Sequence, residues 1–171
     1  VAYAEGQAAK AGVIVDFSLT TNGTLLSDQI IEYLDAHRFG ITVSMDGPKA
    51  LHDRNRQTVG GKGTYDVVAR NVRQLLSKYT SRPVGARVTL TPGVTDVMAI
   101  HDHLIGELGF HEVGFSPATA GDNEIFNLNS QELADVFDGM KELGRAYLEG
   151  ALRGLNIGFS NLHQLMTDLH D

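Results

Sequence analysis

The chain has 171 residues, 42% of them hydrophobic, enough to bury a real core within one domain. Its formal net charge of -7, with acidic and basic residues intermixed, argues against a general nucleic-acid or membrane-surface binder. No run of about 18 apolar residues is present to span a membrane, and the absence of cysteine excludes disulfides and thiolate metal sites while leaving the compartment open.

The opening stretch, Val1 to Lys10, lacks the basic end and apolar block of a signal peptide. It reads as the tail of a helix, in a chain expected to be cut from something longer. Val13 to Leu19 is short, β-branched and aromatic, and ends at Asn22-Gly23, the pattern of a buried strand followed by a turn. Ser27 or Asp28 then caps a helix to about His37, with Ile30, Ile31 and Leu34 inward and Gly40 as its stop. Ile41 to Ser44 forms the second strand. Gly63-Thr64 opens a second helix carrying Val67, Val68, Val72, Leu75 and Leu76 at helical spacing, with Thr64 as cap. Val84 to Leu90 is the third strand, Thr95 or Asp96 to Leu108 the third helix with Gly109 beyond it, and Glu112 to Ser116 the fourth strand. A polar loop, Thr119 to Asn129, leads to a helix from Ser130 to about Leu152, and a last short helix runs from Asn161 to about Leu169.

Strands alternating with helices predict parallel β-α units with right-handed crossovers, an α/β fold with its ligand site at the carboxyl ends of the strands. Four units are too few to close an eight-stranded barrel, so an open part of a TIM-like barrel is expected.

The loops at those strand ends hold the chemically interesting residues. Thr21-Asn22-Gly23 offers a hydroxyl and an amide for a ribose, an adenine edge or an amino-acid head group; it is equally the composition of a plain left-handed turn. In Ser44-Met45-Asp46-Gly47-Pro48, strand alternation puts Ser44 and Asp46 on one side, where they suit an amino-acid moiety, Ser44 to its carboxylate and Asp46 to its ammonium or to a ribose hydroxyl. A simple Asp-Gly-Pro turn is the alternative. His52-Asp53-Arg54-Asn55-Arg56 either closes over a ligand or is a solvated loop. Gly60-Gly61-Lys62-Gly63-Thr64 lacks the spacing of a phosphate loop, which argues against nucleotide hydrolysis. Arg87, inside the third strand, points into a polar pocket or outward. His101 and His103, two apart on a helix, diverge and do not make a metal site. Asn161, His163 and Gln164 form a polar patch near the end of the chain.

Thr21 to Leu26, Ser44 to Pro48 with His52, Asp53 and Arg56, and Gly61, Gly63, Thr64 and Tyr65 together resemble, in order and spacing, the radical S-adenosylmethionine enzymes, in particular the SPASM branch that modifies peptides and proteins. The resemblance covers roughly Phe17 to Pro117. The later Gly-Phe-Ser-Pro and Gly-Phe-Ser-Asn-Leu-His-Gln-Leu runs resemble more narrowly the maturase of quinohemoprotein amine dehydrogenase, with the anaerobic sulfatase-maturating enzymes as near relatives. The resemblance implies roughly the third to sixth strands of a six-strand partial barrel over residues 1–118, with 119–171 a helical segment leading to a cluster domain the chain lacks. It implies an intact enzyme in a reducing cytoplasm, holding a [4Fe-4S] cluster on three cysteines and using a 5'-deoxyadenosyl radical on a peptide or protein substrate. By the same resemblance Ser44, Thr21, Asn22, Asp46, Arg87 and Ser116 would line the S-adenosylmethionine site, and His52 and Arg56 a substrate loop. The cluster cysteines are absent, so this chain alone is expected to bear no cofactor and to be inactive.

Two other readings are a cysteine-free scaffold or peptide-binding module, and an unrelated barrel enzyme using Asp46, His52 and Arg87 in acid-base roles. A strand cut from a larger sheet leaves its edge free to pair, so self-association through the first strand, or a terminus folded across it, is expected.

Overall fold

The computed structural model describes residues 1–119, 125 and 127–168. Most of the loop at 119–129, and the expected helix end at Leu169, lie outside the described residues. Helix α1 (Ala2–Ala11) precedes β1 (Ser18–Thr21), α2 (Asp28–Ala36), β2 (Gly40–Ser44), α3 (Lys49–Asn55), α4 (Tyr65–Lys78), β3 (Val84–Leu90), α5 (Val97–Asp102, prolonged by a π turn over His103–Glu107), β4 (Glu112–Pro117), α6 (Ser130–Leu152) and α7 (Ser160–Asp168). The strands form one parallel sheet in the order β1-β2-β3-β4. Sequential parallel order with right-handed crossovers puts the connecting helices on one face, as the β-α rhythm predicts.

The core lies between that face and the helices. Ile41, Val43 and Met45 from β2 and its end, Val84, Ala86, Val88 and Leu90 from β3, and Val113 and Phe115 from β4 are buried there. Against them pack Ile31 and Leu34 of α2, Val68, Val72 and Leu75 of α4, and Ile100 and Leu104 of the α5 segment. Each such side chain contributes about 1.5–3 kcal/mol by leaving water. Ile30 and Val67, expected inward, are 40% and 38% exposed, because they lie at the margins of their helices' apolar stripes.

Three local expectations differ from the structure. The first strand begins at Ser18, not Val13, since Gly40 at the start of β2 pairs with Ser18 and residues further upstream have no neighbouring strand. Val13 and Ile14 are accordingly 60% and 99% exposed. Helix α2 ends at Ala36 before Gly40; Arg38 (φ 53) turns the chain, and Gly40 opens β2. The charged segment after Pro48 is a helix, α3, rather than a loop.

The two sheet edges differ. Val113 N–H donates to the Gly158 carbonyl at 2.7 Å, and Asn161 gives its amide to both backbone groups of Phe115, accepting at 2.8 Å and donating at 2.9 Å. Residues 158–161 thus serve β4 as a surrogate strand. Among the described residues, β1 pairs with β2 alone.

Candidate functional site at the open sheet face

The face opposite the helices is polar. Strand alternation turns Thr20, Thr42, Ser44, Gly85, Arg87, Glu112, Gly114 and Ser116 toward it. The register arranges them in rows across the strands: Thr20, Thr42, Gly85 and Glu112 in one, Ser44, Arg87 and Gly114 in the next, Thr89 and Ser116 in the third. Neighbouring strands lie about 4.8 Å apart, so Ser44 stands directly beside Arg87. The guanidinium reaches over Gly114, where a Cβ would come 3.0 Å from Arg87 Nη1 and 2.7 Å from Ser160 Oγ. Among the described residues, the side chains of Ser44, Arg87 and Ser116 make no hydrogen bond or ion pair. They are free to meet a ligand. A cleft of about 360 Å³ lies here, with Thr20, Thr42, Arg87 and Glu112 on its floor and Asn161 and Gln164 of α7 at its side.

Asp46 lies just past the end of β2 and is already engaged. Its carboxylate, 1% exposed, accepts from Arg56 Nε at 2.6 Å and Nη2 at 3.0 Å and from the Thr89 N–H at 2.9 Å. This bidentate pair ties the end of α3 to β3 and fixes the loop after β2. His52 continues the same lock. The Asp46 N–H donates to its Nδ1 at 3.3 Å, which makes the neutral ring carry its proton on Nε2. That N–H faces Thr64 Oγ1 at 3.1 Å, and the hydroxyl donates to the Arg56 carbonyl at 2.8 Å. Burial pushes the His52 imidazole below its ordinary value, so the ring stays neutral at physiological pH. His52 and Arg56 therefore brace the strand end from behind.

Thr64 occupies the cap position of α4 without capping it; Asp53 Oδ1 accepts from the Tyr65 N–H at 2.8 Å in its place. Gly63 makes this geometry reachable, since a Cβ there would lie 2.1 Å from the Asp53 carboxyl carbon.

The Thr21-Asn22-Gly23 turn is organised by its own side chains. Thr21, on the helix side of β1, accepts from the Gly23 N–H at 3.2 Å, and Asn22 Oδ1 accepts from Thr24 N–H at 3.1 Å and its hydroxyl at 2.8 Å. Buried Asn71 of α4 anchors the turn, donating to the carbonyls of Gly23 at 2.9 Å and Thr24 at 3.1 Å. The structure thus brings Ser44, Arg87 and Ser116 onto one face, with Asp46, His52 and Arg56 behind the strand ends and Thr21 and Asn22 in a turn at the end of β1. Sequence reasoning missed Thr20, Thr42, Gly85 and Gly114; a correctly placed β1 and period-two alternation would have found the two threonines, and the register was needed for the glycines. No group of three or more His, Asp or Glu able to hold a metal occurs among the described residues.

The open face suits S-adenosylmethionine in its chemistry. Unengaged Arg87, in the cleft, and Ser44, beside it on β2, offer donors to a carboxylate, Glu112 offers a negative charge in the cleft, and Gly85 and Gly114 leave room for the Glu112 and Arg87 side chains to lie along the sheet. It does not suit a thiolate-held iron-sulfur cluster, because the chain has no cysteine.

No family model matches the chain. Over 62 residues it is 40% identical to the cysteine-type anaerobic sulfatase-maturating enzyme of Clostridium perfringens, covering 36% of this chain and 16% of that protein. Over 150 residues, 85% of this chain and 32% of the relative, it is 26% identical to the serine-type enzyme of Bacteroides thetaiotaomicron. The serine-type enzyme of Klebsiella aerogenes is 31% identical over 106 residues, 62% of this chain and 26% of that protein. The chain thus spans a third or less of these relatives. Among solved structures, native anSMEcpe with bound AdoMet and Kp18Cys peptide superposes with a TM-score of 0.75 at 22% identity, over 91% of this chain and 43% of that one. The same protein with AdoMet and Cp18Cys peptide gives 0.72 at 24% identity, over 88% and 42%. In sequence and in fold, the chain is similar to the radical S-adenosylmethionine enzymes of the peptide-maturase branch, over part of their length.

Proposed function

We propose that this chain forms one wall of the core of an enzyme that modifies a peptide or protein by radical S-adenosylmethionine chemistry. The observation that carries the reading is the row of Gly114, exposed Arg87 and half-buried Ser44 at one strand level, with both polar side chains unengaged. Ser44 and Arg87 would hold the carboxylate end of S-adenosylmethionine, Ser116 and the Thr21-Asn22 turn would border its adenosyl or substrate side, and Asp46 orients the loop through Arg56. When bound, the group supplies a hydrogen-abstracting radical. The residues of this chain bind and orient; the cluster that drives the reaction requires cysteines this chain does not contain. Residues 1–118 make the barrel wall and 119–171 the helical segment beside it. No helix among the described residues is long and apolar enough to cross a membrane; a reducing cytoplasm is the compartment proposed.

Backbone amide NMR of the chain titrated with S-adenosylmethionine tests this reading. Weak binding is expected, with shifts confined to Thr20, Thr21, Asn22, Thr42, Ser44, Arg87, Gly114 and Ser116 and lost in Arg87→Ala. Shifts elsewhere, or none at millimolar ligand, would overturn it. Under dithionite the chain alone is expected to release no 5'-deoxyadenosine.

A further inference from the structure

Behind the end of β2, on the helix side of the sheet, a line of three ionisable side chains is unused by the site above. The phenol oxygen of Tyr65, the first residue of α4, lies 2.8 Å from Nε2 of His103, and Nδ1 of His103 lies 2.8 Å from Glu107 Oε2. His103 is buried, and its ring tilts against that of Tyr65 at 5.7 Å between centroids. The π turn sets this up: Leu108 N–H donates to the His103 carbonyl at 3.1 Å, the wider i to i+5 bond, with His103 and Glu107 on one side of the turn. Such turns recur at functional positions.

Proton positions follow from the partners. A carboxylate only accepts, so Nδ1 of His103 carries the hydrogen; in the neutral ring Nε2 is then bare, and the Tyr65 hydroxyl must donate to it. A phenol thus points its proton at a base, and a carboxylate waits on the far side of that base.

The geometry points to Tyr65 as a redox-active tyrosine that surrenders one electron to an organic-radical oxidant while its phenolic proton passes to His103. The O–H bond of Tyr65 breaks and an N–H bond forms at Nε2. The oxidant is reduced by one electron, Tyr65 becomes a neutral tyrosyl radical, and the new imidazolium is held by Glu107. Return of one electron and the same proton restores the phenol.

Composition and placement favour this tyrosine. The chain has no cysteine and no tryptophan, so its five tyrosines are the readiest one-electron donors. Tyr3 and Tyr33 are 80% and 50% exposed. Tyr79 donates to the Phe39 carbonyl, which cannot take up a proton. Tyr147 meets His163 Nδ1 at 3.2 Å on the exposed surface, with no carboxylate behind the ring among the described residues. Burial also pushes the Tyr65 phenol above its ordinary value, so it enters any oxidation protonated and needs a proton acceptor. Its ring lies 5.9 Å from that of His52, whose Nδ1 accepts from the Asp46 N–H, so Tyr65 packs directly against the brace of the loop after β2. The inference stands whether or not the open face binds S-adenosylmethionine.

Flash photo-oxidation with ruthenium tris-bipyridine, read by transient absorbance and EPR, tests it in a Tyr147→Phe background. A tyrosyl radical is expected to form rapidly and to lose most of its fast amplitude in Tyr65→Phe. His103→Gln keeps an amide in place of the base and is expected to slow formation by about tenfold or more. An unchanged fast phase in Tyr65→Phe would overturn the inference, as would an unchanged rate in a folded His103→Gln, which would make the contact a helix latch only. Should His103→Gln fail to fold by circular dichroism, Glu107→Gln at a 70% exposed side chain decides: slower formation supports the relay, and an unchanged rate overturns it.

Discussion

Replacing Arg56 by Ala isolates the lock behind the candidate site. The change removes two charge-assisted hydrogen bonds, at 2.6 and 3.0 Å, from a carboxylate that is 1% exposed, leaving the backbone N–H of Thr89 at 2.9 Å as its remaining hydrogen-bond donor. Stripping one partner from a buried pair costs about 3–5 kcal/mol, because the other charge stays behind without compensation. Arg56 is itself 25% exposed and Thr89 remains, so the lower end applies, about 3 kcal/mol. For a domain of this size that lowers Tm by roughly 6–12 °C. Urea unfolding followed by circular dichroism measures it, with Asp46→Asn/Arg56→Met as the control in which both charges vanish and most of the loss is regained. A loss in Arg56→Ala below about 1 kcal/mol would refute the reasoning, since it would mean that the pair behaves as a solvated surface contact.

The buried His52 ring makes a pH prediction with a definite sign. Its folded value is depressed below the ordinary 6.5 by burial, so its contribution is complete above that pH and is lost as pH falls through the folded value; Tm measured between pH 7.5 and 5 should fall less steeply in His52→Gln, and parallel curves would contradict the buried neutral ring. In Gly63→Ala the new methyl must displace Asp53 from the α4 cap, for a loss of about 1–2 kcal/mol in chemical unfolding; a neutral result would mean that Asp53 does not cap. The edge of β1 with no strand partner among the described residues is expected to drive concentration-dependent self-association seen by light scattering, weakened by Thr20→Lys; a strictly monomeric wild type would contradict it.

The sequence made the architecture readable where apolar periodicity was strong. Val84–Leu90 and the α4 stripe of Val68, Val72 and Leu75 sit where their spacing puts them. What it hid was partnership. Val13 and Ile14 have strand chemistry but no strand to pair with, a fact of register that no local pattern carries. The α3 segment looked like a charged loop because its organising contacts, Asp53 to Tyr65 N–H and Arg56 to Asp46, reach across ten or more residues. Alternation predicts Ser44 and Asp46 on one side, yet β2 ends at Ser44, and Asp46 just beyond it is consumed by Arg56 while Ser44 stays free; only the tertiary structure separates the two roles. Arg87 is the converse. Its place in the middle of a strand left two orientations open, and the bare Gly114 on β4 is what lets it lie along the open face.

The central proposal is that this chain forms part of the core of a radical S-adenosylmethionine peptide maturase. The most direct test is to read the native gene on both sides of the codons for Val1 and Asp171. The account predicts a Cys-x-x-x-Cys-x-x-Cys motif upstream, after a strand that would pair with the free edge of β1 or lie one strand beyond it, and a cysteine-rich segment downstream. A start codon at or near Val1 and no cysteine on either side would contradict it and leave a cysteine-free scaffold or binding protein.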